Sequence, residues 1–284
     1  MYPPPFGYIR VSTPEEAMKE LEENEDARIL AGGHSLIPML KLRLIRPSYL
    51  IDINRITSLS YVNIERNSIK IGALTRHHQL EVNSELGKIY PIFPEAASQI
   101  ADPQVRNMGT IGGSLAHSDP AADWPAVLVA LKAKVKIASR SGERTVSIDD
   151  FQKGMFTTDL KRGEMVKEIE IPLVQGSKSS YIKLERRAGD FAIVGVAVFL
   201  KLDSSSVVED AGIGLTAVGP KAIRPKEAEE TLKGKKLTQE VIEEAAEKAM
   251  KASNPTSDIR GSAEYKRAMV KVLTKRAIKR ALER

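Results

Sequence analysis

Apolar positions along the chain recur with two different periods, and the switches between them outline its elements. Thr13-Pro14-Glu15-Glu16 joins an N-cap hydroxyl, a proline in the first turn and a glutamate placed to reach back to the cap, which predicts a helix from there to about Glu23. Residues 28–31 read as a short strand, 36–44 as a short helix, and 49–53 and 68–73 as strands, the last with clean alternation. Residues 86–101 read as helix interrupted near Pro91 and Pro94, and 123–131 as a helix with Pro125 in its first turn. Strands follow at 133–138 and 144–146 around a Ser-Gly turn, and at 165–171, where Pro172 closes the run.

The small polar stretch 175–180 is the best candidate boundary. Beyond it come three strand-like runs, 181–186, 192–202 and 207–218, and then helices at 225–232, 239–252 and 263–282. The pattern therefore predicts an α+β chain with domains 1–175 and 176–284, the second built from a three-stranded antiparallel sheet followed by helices. No repeat of solenoid length is visible.

Composition narrows the function classes. A chain of 284 residues with 42% hydrophobic and 28% charged residues is globular, and no apolar run is long enough for a transmembrane helix. The N-terminus lacks the basic and apolar regions of a secretory signal, so a cytoplasmic location is expected. Cysteine is absent, which excludes disulfides, thiol catalysis and cysteine-held iron–sulfur clusters. The four histidines, His34, His77, His78 and His117, lack zinc-site spacing, so no metal is expected. A net charge of +6 raises nucleic acid as a partner, but aromatics total only 5% and do not interleave with the basic residues. In the basic C-terminal run, Met269, Leu273, Ala277 and Ala281 recur at helical spacing. That stripe suits a packed terminal helix with solvated charges, and a partner-facing surface is the alternative.

Two segments carry the candidate chemistry. Residues 28–36 contain Ala31-Gly32-Gly33-His34-Ser35, and residues 106–115 contain Thr110-Ile111-Gly112-Gly113-Ser114. Paired glycines allow tight turning and close approach, and successive N–H groups in such turns bind anions. Two such segments suggest one ligand held from two sides, with hydroxyls of Ser35, Thr110 and Ser114 as further donors. Neither the Gly-x-Gly-x-x-Gly dinucleotide fingerprint nor a Walker loop is present. His34 reads equally as a donor or as a solvated loop residue, and Asp119 or Asp123 as a helix cap or a ribose acceptor.

Taken in order, Ala-Gly-Gly-His-Ser, the run from Arg106 to Asp123, residues 71–75, residues 181–190 and Asp258-Ile259-Arg260-Gly261-Ser262 before Tyr265 resemble the medium, FAD-binding subunit of molybdenum hydroxylases over essentially the whole chain. The resemblance implies a two-lobed FAD-binding fold of the vanillyl-alcohol oxidase type, with lobes of about 1–55 and 56–175, ahead of the smaller domain. It implies that Leu30, Ala31, Gly32, Gly33, His34, Ser35 and Leu36, with Thr110, Ile111, Gly112, Gly113 and Ser114, wrap the FAD pyrophosphate. Asp123 would hold the adenosine part, Ile100 and Ala101 would lie along the cofactor, Leu160 would approach one of its ends, and Lys183 would contact it from the second domain. It further implies partner subunits carrying [2Fe–2S] clusters and molybdopterin, a dimer of heterotrimers, and no membrane or nucleic-acid partner. No residue of this chain would then act as an acid or base on the substrate, for which an aldehyde such as glyceraldehyde is the best expectation. A free-standing FAD oxidoreductase of the same fold and a basic nucleic-acid-binding protein are the alternatives.

Overall fold

Thr13 caps the first helix as its sequence demands: Thr13 Oγ1 accepts from the Glu16 N–H at 3.2 Å, and the Glu16 carboxylate returns to the Thr13 N–H. The computed structural model describes residues 2–284. Its N-terminal lobe contains β1 (Gly7–Arg10), α1 (Pro14–Glu23), β2 (Arg28–Leu30), α2 (Leu36–Lys41) and β3 (Tyr49–Asp52). The three strands form a parallel sheet in the order β1-β3-β2 over a small core that includes Ala17, Met18 and Ile51.

The second lobe opens with β4 (Val62–Ile64) and β5 (Ser68–Gly72). A run of short helices follows: α3 (His77–Val82), α4 (Ser84–Ile89), α5 (Ile92–Ser98), α6 (Pro103–Met108), α7 (Ile111–His117) and α8 (Asp123–Ala130). Then come β6 (Lys134–Ser139), β7 (Gly142–Ser147), α9 (Ile148–Phe151), the small hairpin β8 (Gln152–Gly154) and β9 (Thr157–Thr158), and β10 (Met165–Pro172). The main sheet is antiparallel in the order β4-β5-β10-β6-β7. The C-terminal part holds the meander β11 (Lys178–Leu184), β12 (Val194–Leu202) and β13 (Val208–Thr216), covered by α10 (Lys226–Leu232), α11 (Gln239–Ala252) and α12 (Ala263–Leu282).

The α+β class, the antiparallel meander and the last two helices match the pattern of the sequence. Three differences have local causes. The first strand of the meander begins at Lys178, inside the stretch read as a connector. Ser179 and Ser180 are small enough to be buried, and the Ser180 hydroxyl donates to the Ala277 carbonyl at 2.7 Å. The helix read over 86–101 breaks near Pro91 as expected, where Tyr90 ends α4 and Pro91 opens α5, but Pro94 stands in the first turn of α5 without interrupting it. The second glycine pair, read as a turn, lies inside α7, whose N-cap is Thr110.

Helix α12 packs by its apolar stripe, burying Val270, Leu273, Ala277, Ile278 and Ala281 against β11 and β12. Lys271 and Lys275 pair with Glu243 and Glu247 on α11, so part of the basic charge is neutralised within the fold.

Helix α8 joins the two parts of the chain. All of its residues are buried, and it is apolar on every side, as a helix enclosed by protein must be. It lies on β12 and β13 of the C-terminal sheet while packing α5 and α7 of the second lobe. The approach is close enough that a Cβ on Gly214 would stand 1.9 Å from the Ala126 carbonyl oxygen. Gly214→Ala therefore forces helix and sheet apart. Denaturant unfolding is expected to show a loss of about 3 kcal/mol, the upper range for an overpacked core; an unchanged midpoint would mean that the junction yields freely.

Candidate functional site

The first glycine segment leaves β2 and turns at Gly33, whose φ of +77° is the left-handed conformation that glycine adopts without strain. The Ile37 N–H donates back to the Gly33 carbonyl at 2.8 Å and starts α2. The N–H groups of Gly32, Gly33, His34 and Ser35 donate to no acceptor among the described residues. Ser35 makes no capping bond with its side chain. His34 is exposed, while Leu30, Ala31, Ser35 and Leu36 are half-buried. This segment is thus a row of free donors at the surface, which suits an anion.

The second segment is built differently. The N–H groups of Ile111 and Gly112 donate to the Thr75 and Ala73 carbonyls at 3.1 and 2.9 Å, and that of Gly113 to Thr110 Oγ1 at 3.0 Å. Its backbone donors are therefore spent on holding α7 against the β5 end, contrary to the reading of both glycine pairs as open anion turns. What it offers a ligand is the Thr110 hydroxyl proton and the half-buried Ser114 hydroxyl.

The two segments meet. A Cβ on Gly32 would lie 2.3 Å from the Met108 carbonyl oxygen and 2.7 Å from the Gly109 Cα, so only glycine permits the contact. Two residues absent from the sequence reading tie the segments together. Asn54 Nδ2 donates to the Ala31 carbonyl at 2.8 Å. Arg76 donates to Asn54 Oδ1 and to the Met108 carbonyl, both at 2.6 Å. Burial lowers the Arg76 pKa from its usual value, with Asp52 opposing the shift. Neither residue belongs to a recognisable local pattern, since each acts across the gap between lobes.

Beside the junction, His77 and Trp124 form a buried pair in which Trp124 Nε1–H donates to His77 Nδ1 at 2.9 Å. Burial, assisted by the charges of Arg76, His34 and Arg106, pushes the His77 imidazole down to about 3. His77 is neutral at ordinary pH.

Asp123 does not cap α8: Ala122 is the N-cap and no side-chain capping bond forms. Asp119 instead accepts from the Ala121 N–H at 2.8 Å. Asp123 is buried against the C-terminal sheet, accepting from the Tyr181 hydroxyl at 2.5 Å and pairing with Lys183 Nζ at 3.3 Å. Lys183, with a side chain only 1% exposed, also donates to the Gln99 carbonyl at 2.8 Å. Burial pushes the Asp123 carboxyl up while Lys183 and Tyr181 oppose it, and burial raises the Tyr181 phenol. Lys183 thereby fixes the loop that contains Ile100 and Ala101. Ala101 takes a positive φ of 45°, and its carbonyl packs against Gly189 of the loop Arg186–Asp190, which lines an open cavity of about 540 Å³. Leu160, half-buried beyond β9, packs on the edge of the main core. So the structure gathers the two glycine segments at one junction. Asp123, Lys183, Ile100 and Ala101 form a neighbouring group, and Leu160 lies in a separate loop.

Residues 4–174 match the family model described as the FAD binding domain in molybdopterin dehydrogenase, and residues 179–281 match the CO dehydrogenase flavoprotein C-terminal domain. The chain belongs to the FAD-binding medium subunits of the molybdenum hydroxylases. It is 47% identical over 279 residues to the glyceraldehyde dehydrogenase medium chain of Sulfolobus acidocaldarius, covering 98% of this chain and 99% of that one. It is 41% identical to the carbon monoxide dehydrogenase medium chain of Hydrogenophaga pseudoflava, covering 100% of this chain and 99% of that one. The solved carbon monoxide dehydrogenase from that organism superposes with a TM-score of 0.96 at 42% identity, over 100% of this chain and 99% of that chain. The fold is therefore that of this family, and the alternatives of a free-standing flavoenzyme or a nucleic-acid-binding protein are not favoured. Among the described residues, no helix is long and apolar enough to cross a membrane.

Two outcomes follow from the site's electrostatics. Lys183→Met strands the Asp123 carboxylate in the interior, and denaturant unfolding is expected to show a loss of about 3–5 kcal/mol, with the double variant carrying Asp123→Asn less destabilised than the sum of the two. Additive losses would mean that the pair is not coupled. The unfolded chain takes up a proton at about pH 6.5 that folded His77 refuses, so stability is full above that pH and falls as pH drops toward about 3. His77→Gln is expected to flatten that part of the stability–pH curve; a curve of unchanged slope would refute the buried neutral state.

Proposed function

We propose that this chain binds FAD at the junction of its two glycine segments and serves as the electron-transferring subunit of a heterotrimeric, molybdenum-containing oxidoreductase. The observation that carries the cofactor site is the contact of Gly32 with Met108 and Gly109, which sets free N–H donors of one segment beside the hydroxyls of the other. A cationic residue, Arg76, stands at the same junction. Such a site suits a pyrophosphate, which carries two negative charges and accepts several hydrogen bonds.

In this reading residues 30–36 and 110–114 hold the pyrophosphate, with Ser35, Thr110 and Ser114 donating hydroxyl protons. Asp123 accepts from the adenosine ribose, Ile100 and Ala101 line the cofactor, Lys183 supports it from the second domain, and Leu160 approaches one of its ends. The domains divide at 175/176. FAD, when bound, accepts electrons from a [2Fe–2S] partner and passes them to an external acceptor. This chain's part is to bind and orient, and no residue in it acts on the substrate as acid or base. The substrate is oxidised in the molybdopterin subunit, and the likeness to the Sulfolobus acidocaldarius chain favours an aldehyde, glyceraldehyde foremost. The assembly is a cytoplasmic dimer of heterotrimers.

Co-expression of the chain with an iron–sulfur subunit and a molybdopterin subunit from the same organism is expected to give a complex holding one FAD per copy of this chain, reducing a dye with glyceraldehyde in preference to carbon monoxide or xanthine. A complex without flavin, or one that oxidises only carbon monoxide or only purines, would overturn the corresponding part. Gly32→Ala, which drives a Cβ into the Met108 carbonyl, is expected to lower FAD occupancy below about a tenth, the effect of losing two or more hydrogen bonds to a charged group. Full occupancy in that variant would move the cofactor elsewhere.

A further inference from the structure

His77 is absent from the sequence-based assignment of the cofactor site, yet its geometry suits a ligand contact there. The side chain lies at the start of α3, and the whole residue is 6% exposed. Trp124 Nε1 has a proton to give and no lone pair, so its bond to His77 Nδ1 leaves that nitrogen unprotonated. The neutral imidazole then carries its proton on Nε2.

That Nε2 has no hydrogen-bond partner among the described residues, yet it is not one of the unpartnered atoms sealed from the surface. It faces the glycine junction: a Cβ on Gly109 would stand 2.7 Å from it. Gly109 thus meets the Nε2–Cδ2 edge of the imidazole with only a hydrogen, next to the peptide that Gly32 touches. The same backbone positions the ring, since the His77 N–H donates to the Gly109 carbonyl at 3.0 Å.

The surroundings choose the ligand chemistry. Two guanidinium groups stand near His77: Arg76, and Arg106, which is paired with Glu81 at 2.8 Å. Arg76 sits at the junction, and Arg106 donates to the Ile100 and Ala101 carbonyls at 3.1 and 3.3 Å. A nearly buried N–H with no partner, beside the Arg76 guanidinium, suits an anionic oxygen better than a neutral one.

We propose that His77 is a further phosphate-binding residue of the cofactor site, with Trp124 fixing its imidazole as the Nε2–H tautomer so that this N–H donates to a phosphate oxygen of the bound dinucleotide. The proposal rests on the FAD reading above and deepens it. Because the imidazole donates in its neutral form, it supplies a hydrogen bond without adding a further charge to the site.

The test uses the full chain stripped of flavin, titrated with FAD, ADP and riboflavin, and labelled at histidine with ¹⁵N. The free protein is expected to show a neutral imidazole protonated on Nε2, whose signal moves when FAD or ADP is added and stays when riboflavin is added. Loss of one hydrogen bond to a charged acceptor predicts that His77→Leu weakens FAD and ADP by about ten- to a hundredfold. His77→Gln, which carries an amide donor near the position of Nε2, should stay within about threefold. Trp124→Phe removes the donor to Nδ1 and should let the other tautomer appear. An Nδ1-protonated ring in the wild-type protein, an Nε2 signal indifferent to ADP, or a His77→Leu variant that binds FAD and ADP normally would each overturn the assignment while leaving the FAD reading intact. Should His77→Leu fail to fold, the wild-type nitrogen spectrum with and without ADP decides. A wild-type chain that binds neither FAD nor ADP overturns the cofactor reading and this proposal together.

Discussion

Helix α8 is the constraint from which the rest of the molecule takes its geometry. Its eight residues are all buried, and it is packed on opposite sides by the helices of the second lobe and by the C-terminal sheet. A helix enclosed in this way gains from apolar contact on every face, which compensates for the conformational entropy of ordering a short element. Its N-terminal turn points two side chains in different directions. Asp123 reaches the C-terminal sheet through Tyr181 and Lys183, while Trp124 reaches His77 and the glycine junction. One buried helix therefore sets both flanks of the candidate cofactor site.

The Asp123–Lys183 pair illustrates a cost accepted for position. Removing two charges from water is expensive, and such a pair contributes less to stability than apolar residues of similar volume. Its value here is geometric. Lys183 holds the Gln99 carbonyl, and so fixes the loop of Ile100 and Ala101 relative to a strand of the other domain. The ion pair lies at the edge of a core that both parts of the chain share, since Trp124 and residues 126–130 of α8 pack in one cluster with Tyr181, Ala197 and Phe199 of the C-terminal sheet.

The glycine segments divide the work between them. The first presents free N–H groups on a turn with little packing of its own. The second has given up its N–H groups to carbonyls and to Thr110, and so provides the rigid wall against which the first is held. Arg76 and Asn54 close the gap between the walls. A site of this kind binds and orients; on the proposed function, the electron chemistry belongs to the flavin, and the oxidation of substrate to a partner chain.

Much of this was legible in the amino-acid sequence because it depends on local rules. The capping box at Thr13, the alternation in 68–73 and the amphipathic stripe of 263–282 each fix an element through contacts within a few residues. The glycine segments, read in order with their neighbours, carried the family. The sequence alone did not show that Gly112 and Gly113 lie in a helix, since a pair of glycines is a poor helix former and only the carbonyls of Ala73 and Thr75 and the Thr110 cap hold it there. Nor did it show Asp123 as the partner of Lys183, or Asn54, Arg76 and His77 beside the glycine junction. Those roles rest on contacts between residues distant in sequence, set by how α8 and the two lobes pack. Local pattern determined the elements and the binding segments; tertiary packing decided which of their groups remain free to meet a ligand.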